Sequence, residues 1–425
     1  MLSAMIAAMT FSRRRFLAAS AAALAAAGGA TAWHLWPDEG LLHPCLGPLP
    51  AELAKHPLVL EAWAGLDPTQ VWDSHAHLIG IGDGGGDLGF NEGRSLLHLP
   101  FAKLQEYFFR NAACITNHPA QGLDAAMIAH LHDLVDAMPV GHKLLLLALD
   151  AWHDDSGRRH TEHTHFWVGN DYCAAVAKHR PDRFAWAASV HPYRPDAVVA
   201  IEQAHRDGAR ALKWIPSAQG IDPASPRCDR VYEALAKLDL PLITHGGQER
   251  AAPGDDNLDN PLRLRRALAH GVRVVVAHCA SMGEDRDIDR GENGPWVESF
   301  ALFERLMEEP AHVGRLFGDI SALTQTARAG RPLRRVLERA HEGGDWARRL
   351  LNGSDYPLPA IMPLYSPRFL VDSGLLDAAA AAPLSAIRRH NPLLFDFVLK
   401  RHLHVGGRRL AKSVFETRRF FDRQA

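Results

Sequence analysis

At 425 residues, with 47% hydrophobic and 23% charged side chains, the chain has the make-up of a folded globular protein, which excludes disorder, fibres and a multi-spanning membrane protein. A formal net charge of -2 supplies no basic footprint for a nucleic-acid backbone, so small molecules are the expected partners and nucleic acid is not. The length suits either two ordinary domains or one decorated α/β barrel.

Residues 1–32 read as a twin-arginine signal peptide. Ser12-Arg13-Arg14-Arg15-Phe16-Leu17 carries the paired arginines, an apolar Ala-rich run follows to Ala27, and Ala30-Thr31-Ala32 is an A-x-A cleavage site. Gly28-Gly29 ends the apolar run short of the roughly 20 residues that a membrane span needs. The expectation is a protein handed to the twin-arginine export machinery, periplasmic or secreted, with no stable membrane insertion after cleavage. Residues 33–70, with several prolines, read as an extended lead-in. The five cysteines (Cys45, Cys114, Cys173, Cys228, Cys279) are widely spaced and form no C-x-x-C pair, which argues against a zinc ribbon or a dense disulfide scaffold and leaves one disulfide open.

From residue 71 short β-rich apolar runs alternate with helical patterns. Eight strands are expected at 71–77, 143–150, 184–191, 209–214, 241–245, 272–278, 315–320 and 349–354, with helices at 171–179, 196–206, 229–238, 258–270, 296–308 and 333–341. Eight strands with interleaved helices predict a TIM-like (β/α)8 barrel over 71–400, followed by a helical C-terminal tail, 401–425. The glycine-rich stretch 80–86 lacks a following Lys-Ser/Thr and helix, so it reads as a flexible loop over the site rather than a phosphate cradle. Arg408, Arg409, Arg418 and Arg419 read as a solvated face.

His75, His77, Lys213, His245, His278 and Asp355 each fall at or just past the C-terminal end of an expected strand, the rim where barrel active sites are built. Alternation predicts that Val71, Asp73, His75 and His77 share one face, so that two imidazoles can reach one ion. A buried carboxylate ringed by imidazoles is costly without a cation, whereas a divalent metal satisfies the whole set. The loop 152–165, with His153, Asp154, Asp155, His160, His163 and His165, lies on the same rim and reads as solvated. Arg94, Arg158 and Arg159 are candidates to clamp a substrate carboxylate. Cys279 reads as packing.

These residues resemble the amidohydrolase superfamily, in its amidohydrolase-related (amidohydrolase 2) branch. The resemblance runs from about residue 71 to 398. It is carried by Trp72-Asp73-Ser74-His75-Ala76-His77, Ala211-Leu212-Lys213-Trp214, Leu242-Ile243-Thr244-His245-Gly246-Gly247, Val276-Ala277-His278-Cys279-Ala280-Ser281 and Gly353-Ser354-Asp355-Tyr356-Pro357, with His390-Asn391-Pro392 opening a late helix. It implies a site of one or two divalent ions, usually Zn2+. His75, His77, His245 and Asp355 would be ligands, His278 would bind a second ion or polarise the substrate, and Lys213 would stand where some members carboxylate a lysine to bridge two ions. The implied reaction is hydrolysis of an amide, ester or lactone by metal-activated water, with Asp355 moving the proton and His278 assisting. A decarboxylase or other lyase of the same family is the alternative, and a non-catalytic periplasmic binding protein on the same barrel is the alternative of another class. Homo-oligomerisation is left open.

Overall fold

The computed structural model describes residues 40–91, 99–115 and 119–422. The twin-arginine pattern and Arg94 lie outside them. Eight parallel strands carry the fold: β1 (Trp72–His77), β2 (Lys143–Leu147), β3 (Phe184–Ala187), β4 (Leu212–Trp214), β5 (Leu242–Thr244), β6 (Val274–Val276), β7 (Leu316–Asp319) and β8 (Leu350–Leu351). Each lies within one of the eight stretches expected from the sequence. They pair as a three-stranded sheet in the order β1-β2-β3 and a five-stranded sheet in the order β4-β5-β6-β7-β8. Single parallel bridges stand at both seams, Ala188 with Leu212 and Ala76 with Tyr356. At the second seam Ser74 N donates to Asn352 O, Asp355 N to His75 O and His77 N to Tyr356 O, at 2.9, 2.7 and 2.9 Å.

The run Lys-Leu-Leu-Leu-Leu of β2 shows why these strands form. A parallel strand covered on both faces needs apolar residues at every position, not at alternate ones. Leu144 and Leu146 join the outer core under the helices, while Leu145 and Leu147 turn inward against Ala187, Ala211, Ile243, Val275 and Leu351. The helices supply the outer layer: α1 (Ala197–Arg206) buries Ala197, Ile201 and Ala204, one stripe at helical spacing. The same alternation places Lys213 between Leu212 and Trp214 of the outer core, in register with Ile243 and Val275 of the inner one.

Several expectations are corrected. Strand β1 does not keep strict alternation: its register slips between Asp73 and Ala76, a β-bulge. Val71 therefore packs in the outer core and Trp72 in the inner one. Asp73 does not share the face of the imidazoles; its carboxylate accepts from His75 N and Ser354 N. The helix expected at 258–270 is three short pieces, because Pro261 cannot continue the hydrogen-bond ladder and Asn260 caps a fresh turn at Leu262 N. Trp296–Glu298 is not helical but pairs antiparallel with Glu284–Arg286, and the helix begins at Ser299.

The lead-in also differs from a plain extended segment. It contains the helices Ala51–Ala54 and Pro57–Trp63, and Cys45 is disulfide-bonded to Cys114. The glycine-rich loop is docked rather than free: Asp83 accepts from Leu123 N and Asp124 N, while Asp124 accepts from Ile81 N and Gly84 N. The tail is not purely helical. It forms a hairpin (His404–Val405 with Arg408–Arg409) and then runs under the sheet, where Phe421 stacks on Trp72 and Thr417 Oγ donates to Trp72 O. Phe421 belongs to the inner core, so the tail seals the end of the sheet opposite the site.

Candidate metal centre

All six candidate residues lie at the C-terminal ends of the parallel strands, and five of them, His77 excepted, are buried. The Nε2 atom of His75 faces three of the others: His77 Nε2 at 3.1 Å, Lys213 Nζ at 3.3 Å and Asp355 Oδ1 at 3.5 Å. His77 Nε2 is 3.4 Å from Asp355 Oδ1, and His278 Nε2 is 3.7 Å from Asp355 Oδ2. Ligand atoms of His75, His278 and Asp355 all lie within 4.8 Å of one another. His245 stands beside His278, with ring centroids 5.2 Å apart.

The backs of the rings are tied down. His75 Nδ1 donates to Asp319 Oδ2 at 2.9 Å, His278 Nδ1 meets the Ser321 carbonyl oxygen at 3.1 Å and Oγ at 2.8 Å, and His245 Nδ1 lies 3.2 Å from Glu249 Oε2. A carbonyl or carboxylate oxygen only accepts, so Nδ1 of His75 and of His278 carries the proton and the Nε2 of each presents its lone pair. His245 Nε2 is buried with no hydrogen-bond partner. Bare nitrogens converging on a carboxylate repel one another in a dry interior. A divalent cation is the group that reconciles them, and imidazoles oriented from behind by oxygen acceptors are what a zinc-type site uses. The residues therefore fit a metal.

Electrostatics agree. Burial, then Lys213, pull the pKa of His75 down to about 4, against the pull of Asp319 and Asp355. Burial takes His278 well below its ordinary value and lowers His245 as well. Burial pushes Asp355 up, but any positive charge arriving at His278, His75 or His77 favours its ionised form more strongly, and the carboxyl lies well below its usual range. Burial also lowers Lys213. Neutral imidazoles around an ionised carboxylate are the protonation states that metal ligation requires.

Local backbone builds this geometry. His278, Cys279 and Ala280 are three successive non-glycine residues in the left-handed region, at φ 55°, 50° and 50°, and Asp355 is at φ 60°. Asp319 bridges the site from behind: besides His75, its Oδ1 accepts from His278 N and Ser321 N. Gly353 allows β8 to run close against β1, since a Cβ there would meet His75 Cβ at 2.7 Å. Below, Lys400, 1% exposed, donates to the Gly353 carbonyl and to Asp396, both at 2.6 Å.

A cavity of about 560 Å³ opens above these residues. Phe90, Phe108, Phe109, Phe166, Leu358 and Ile361 form an apolar wall, which meets the site where Phe166 packs edge-on to His77. Across the mouth Gln105 donates to the carbonyl of Ala251. Beyond the imidazoles, Lys213 and Asp355, the polar lining consists of Gln105, Glu249, Arg250, Gln325 and Arg328.

Asp319, Glu249 and Arg328 were not among the sequence candidates. Asp319 ends an apolar run, the same signal that marked the others, and Glu249 stands four residues after His245. Arg158 and Arg159 do not reach the cavity: both are exposed, and Arg159 pairs with Asp87 beside a different, polar cleft of about 750 Å³ that contains none of the convergent groups. The loop 152–165 is less solvated than expected: Asp155 and His163 are exposed, but His153 is buried with Nδ1 on the Ala151 carbonyl, His165 is half-buried, and His160 is held between Asp154 and Glu162. Cys279 is buried and donates to the carbonyl of Asp319, which agrees with packing. Asn391 caps the helix Pro392–His402, as expected.

Residues 120–391, more than half of the chain, match the family described as Amidohydrolase. The chain belongs to the amidohydrolase family. The matched stretch contains Lys213, His245, His278 and Asp355 of this amidohydrolase, while His75 and His77 lie ahead of it and are brought in by β1. No curated protein matches the chain. Among solved structures it is similar to an uncharacterised TIM-barrel protein from Bordetella bronchiseptica, with 18% identity and TM-score 0.44 over 74% of this chain and 98% of that one. It is also similar to a probable 2-pyrone-4,6-dicarboxylic acid hydrolase from Acinetobacter baumannii (14%, TM-score 0.41, 72% and 91%). A 5-carboxyvanillate decarboxylase from Sphingomonas paucimobilis gives 14% identity and TM-score 0.41 over 75% and 98%.

Proposed function

We propose that the protein is a metal-dependent hydrolase that cleaves an amide, ester or lactone bond of a small molecule, on a (β/α)8 barrel closed at the two bridged seams. The observation that carries the reading is the meeting of bare Nε2 atoms from His75 and His278, together with His77, on the Asp355 carboxylate. His75, His77 and Asp355 would hold an ion, Zn2+ being the one that suits nitrogen and carboxylate donors. His245 and His278 would complete the set or hold a second ion, with Lys213 beside them to bridge if carboxylated. Because its proton sits on Nδ1 against the Ser321 carbonyl, His278 is better suited to ligate than to donate to a substrate oxygen. Bound there, a divalent ion supplies acidified water near neutral pH and polarises the substrate carbonyl.

The chain's own residues do the rest. Asp355, ionised and buried, accepts the proton of the attacking water at a carboxylate oxygen and passes it to the leaving group. Asp319 and Ser321 hold His75 and His278 in one tautomer throughout, and Glu249 stands beside His245 Nδ1. The apolar wall keeps bulk water off the reacting bond.

Metal per folded chain, measured in wild type and in His245→Ala, tests the site. One or two ions in wild type, lost in the variant, support it; an ion-free chain that still turns over contradicts it. A panel of lactones, esters and amides then tests the reaction. Release of carbon dioxide instead of a new carboxylate would transfer the protein to the decarboxylases. The Cys45–Cys114 disulfide supports export to an oxidising compartment, in keeping with the twin-arginine pattern. Replacing Arg13, Arg14 and Arg15 with lysine and following the protein by fractionation tests that route.

A further inference from the structure

Apart from Arg250, which is exposed and donates to Gln248, the cavity lining holds one buried cation outside the ligand set. Arg328, 6% exposed, follows β7 and lines the cavity. Its Nε donates to Gln325 Oε1 at 3.3 Å and its Nη1 to Ser281 Oγ at 3.2 Å. Among the described residues its Nη2 makes no hydrogen bond and the guanidinium forms no ion pair. Arg388, buried more deeply still, shows the usual remedy: it donates to the carbonyls of Pro359, Ile361, Met362 and Tyr365. Buried guanidinium groups are normally paired or fully hydrogen-bonded, and a planar fork left facing a cavity fits a carboxylate.

We propose that Arg328 reads an anionic group on the substrate, so that the substrate is an amphipathic acid. Its carboxylate lies on the Arg328 fork and its apolar body lies along Phe108, Phe109 and Phe166. The reacting bond then faces Asp355; this last placement alone rests on the hydrolase reading. Arg328 sets specificity rather than chemistry, since Asp355 and the imidazoles carry the proton transfer. None of the arginines first considered from the sequence occupies this position.

Calorimetric titration of the purified protein with 3-phenylpropionate and with the neutral 3-phenylpropionamide tests the assignment. The acid is expected to bind about tenfold or more tightly than the amide, the scale of one charge-assisted contact. Arg328→Gln should erase that preference and leave amide affinity unchanged, and Arg328→Lys, which keeps the charge and loses the fork, should retain part of it. Phe109→Ala should weaken acid and amide alike, without changing their ratio. Equal binding of acid and amide by wild type overturns the proposal, as does a preference that survives in Arg328→Gln, because the anion would then sit on Arg250 or on the metal ligands' side of the cavity. Should Arg328→Gln not fold, an undiminished preference in Arg328→Lys overturns it. A protein that prefers the acid through Arg328 yet hydrolyses nothing leaves this inference standing and removes the hydrolase reading alone.

Discussion

The Asp319 carboxylate joins His75 to His278: one oxygen accepts from His75 Nδ1 at 2.9 Å, and the other from the His278 backbone N–H at 2.9 Å. One side chain at the end of β7 thus sets a ring on β1 and the turn after β6. Asp319→Asn keeps the shape and can offer His75 its amide nitrogen, which reverses the tautomer preference. We expect metal affinity to fall roughly 10- to 100-fold in this variant, with folding intact, as measured by competition with a chelator. Unchanged affinity would mean that the ring needs no such anchor.

Acid should unfold the protein through imidazoles remote from the site. Burial lowers His142 to about 3, and it is the largest influence in bringing His43 and His191 to about 4. A folded pKa below the unfolded value of 6.5 means that unfolding takes up a proton. The stabilising contribution is therefore whole above pH 6.5 and is lost as pH falls toward 4. Each proton contributes a slope of about 1.4 kcal/mol per pH unit in that window. Urea titrations at pH 7.5, 6 and 5 should show it, and His142→Asn should flatten the slope by about one proton; an identical slope in the variant refutes the assignment.

The disulfide closes a loop of sequence separation 69 and ties the lead-in to the turn after the helix Leu99–Ala112, which supplies Phe108 and Phe109 to the cavity wall. Loop closure of that length is worth about 4 kcal/mol. The double variant Cys45→Ser, Cys114→Ser should lose stability on that scale and also bind apolar ligands more weakly. A loss of stability with ligand affinity fully retained would show that the wall does not depend on the staple.

Lys400 and Asp396 are each 1% exposed, and Asp396 Oδ1 has no partner. Lys400→Met leaves a buried carboxylate uncompensated and frees the Gly353 carbonyl two residues from Asp355. The expected cost is about 3–5 kcal/mol, together with a drop in metal affinity. Asp396→Asn added to it should recover stability but not the metal; recovery of both would make the pair purely structural.

Much of this arrangement could be read before any coordinates. Lys213, His245 and His278 stand at intervals of one βα unit and Asp355 follows the last expected strand, which places all four on one rim. The β-bulge was invisible because Val71, Asp73, His75 and His77 look like perfect alternation; only pairing with β2 reveals the slipped register. Arg328 escaped notice because nothing local distinguishes an arginine in a loop of small residues. Its meaning comes from a buried guanidinium that lines the cavity with no ion pair among the described residues, a property of three dimensions. The short helices of the lead-in and the sealing role of Phe421 were hidden for the same reason, since both depend on partners hundreds of positions away.

The left-handed run at His278, Cys279 and Ala280 has an evolutionary corollary. Each such residue costs on the order of 1–2 kcal/mol against an ordinary conformation, and glycine would relieve most of that. A library screened for heat resistance alone should therefore accumulate glycine at positions 279 and 280, giving sturdier molecules whose His278 ring is less firmly aimed.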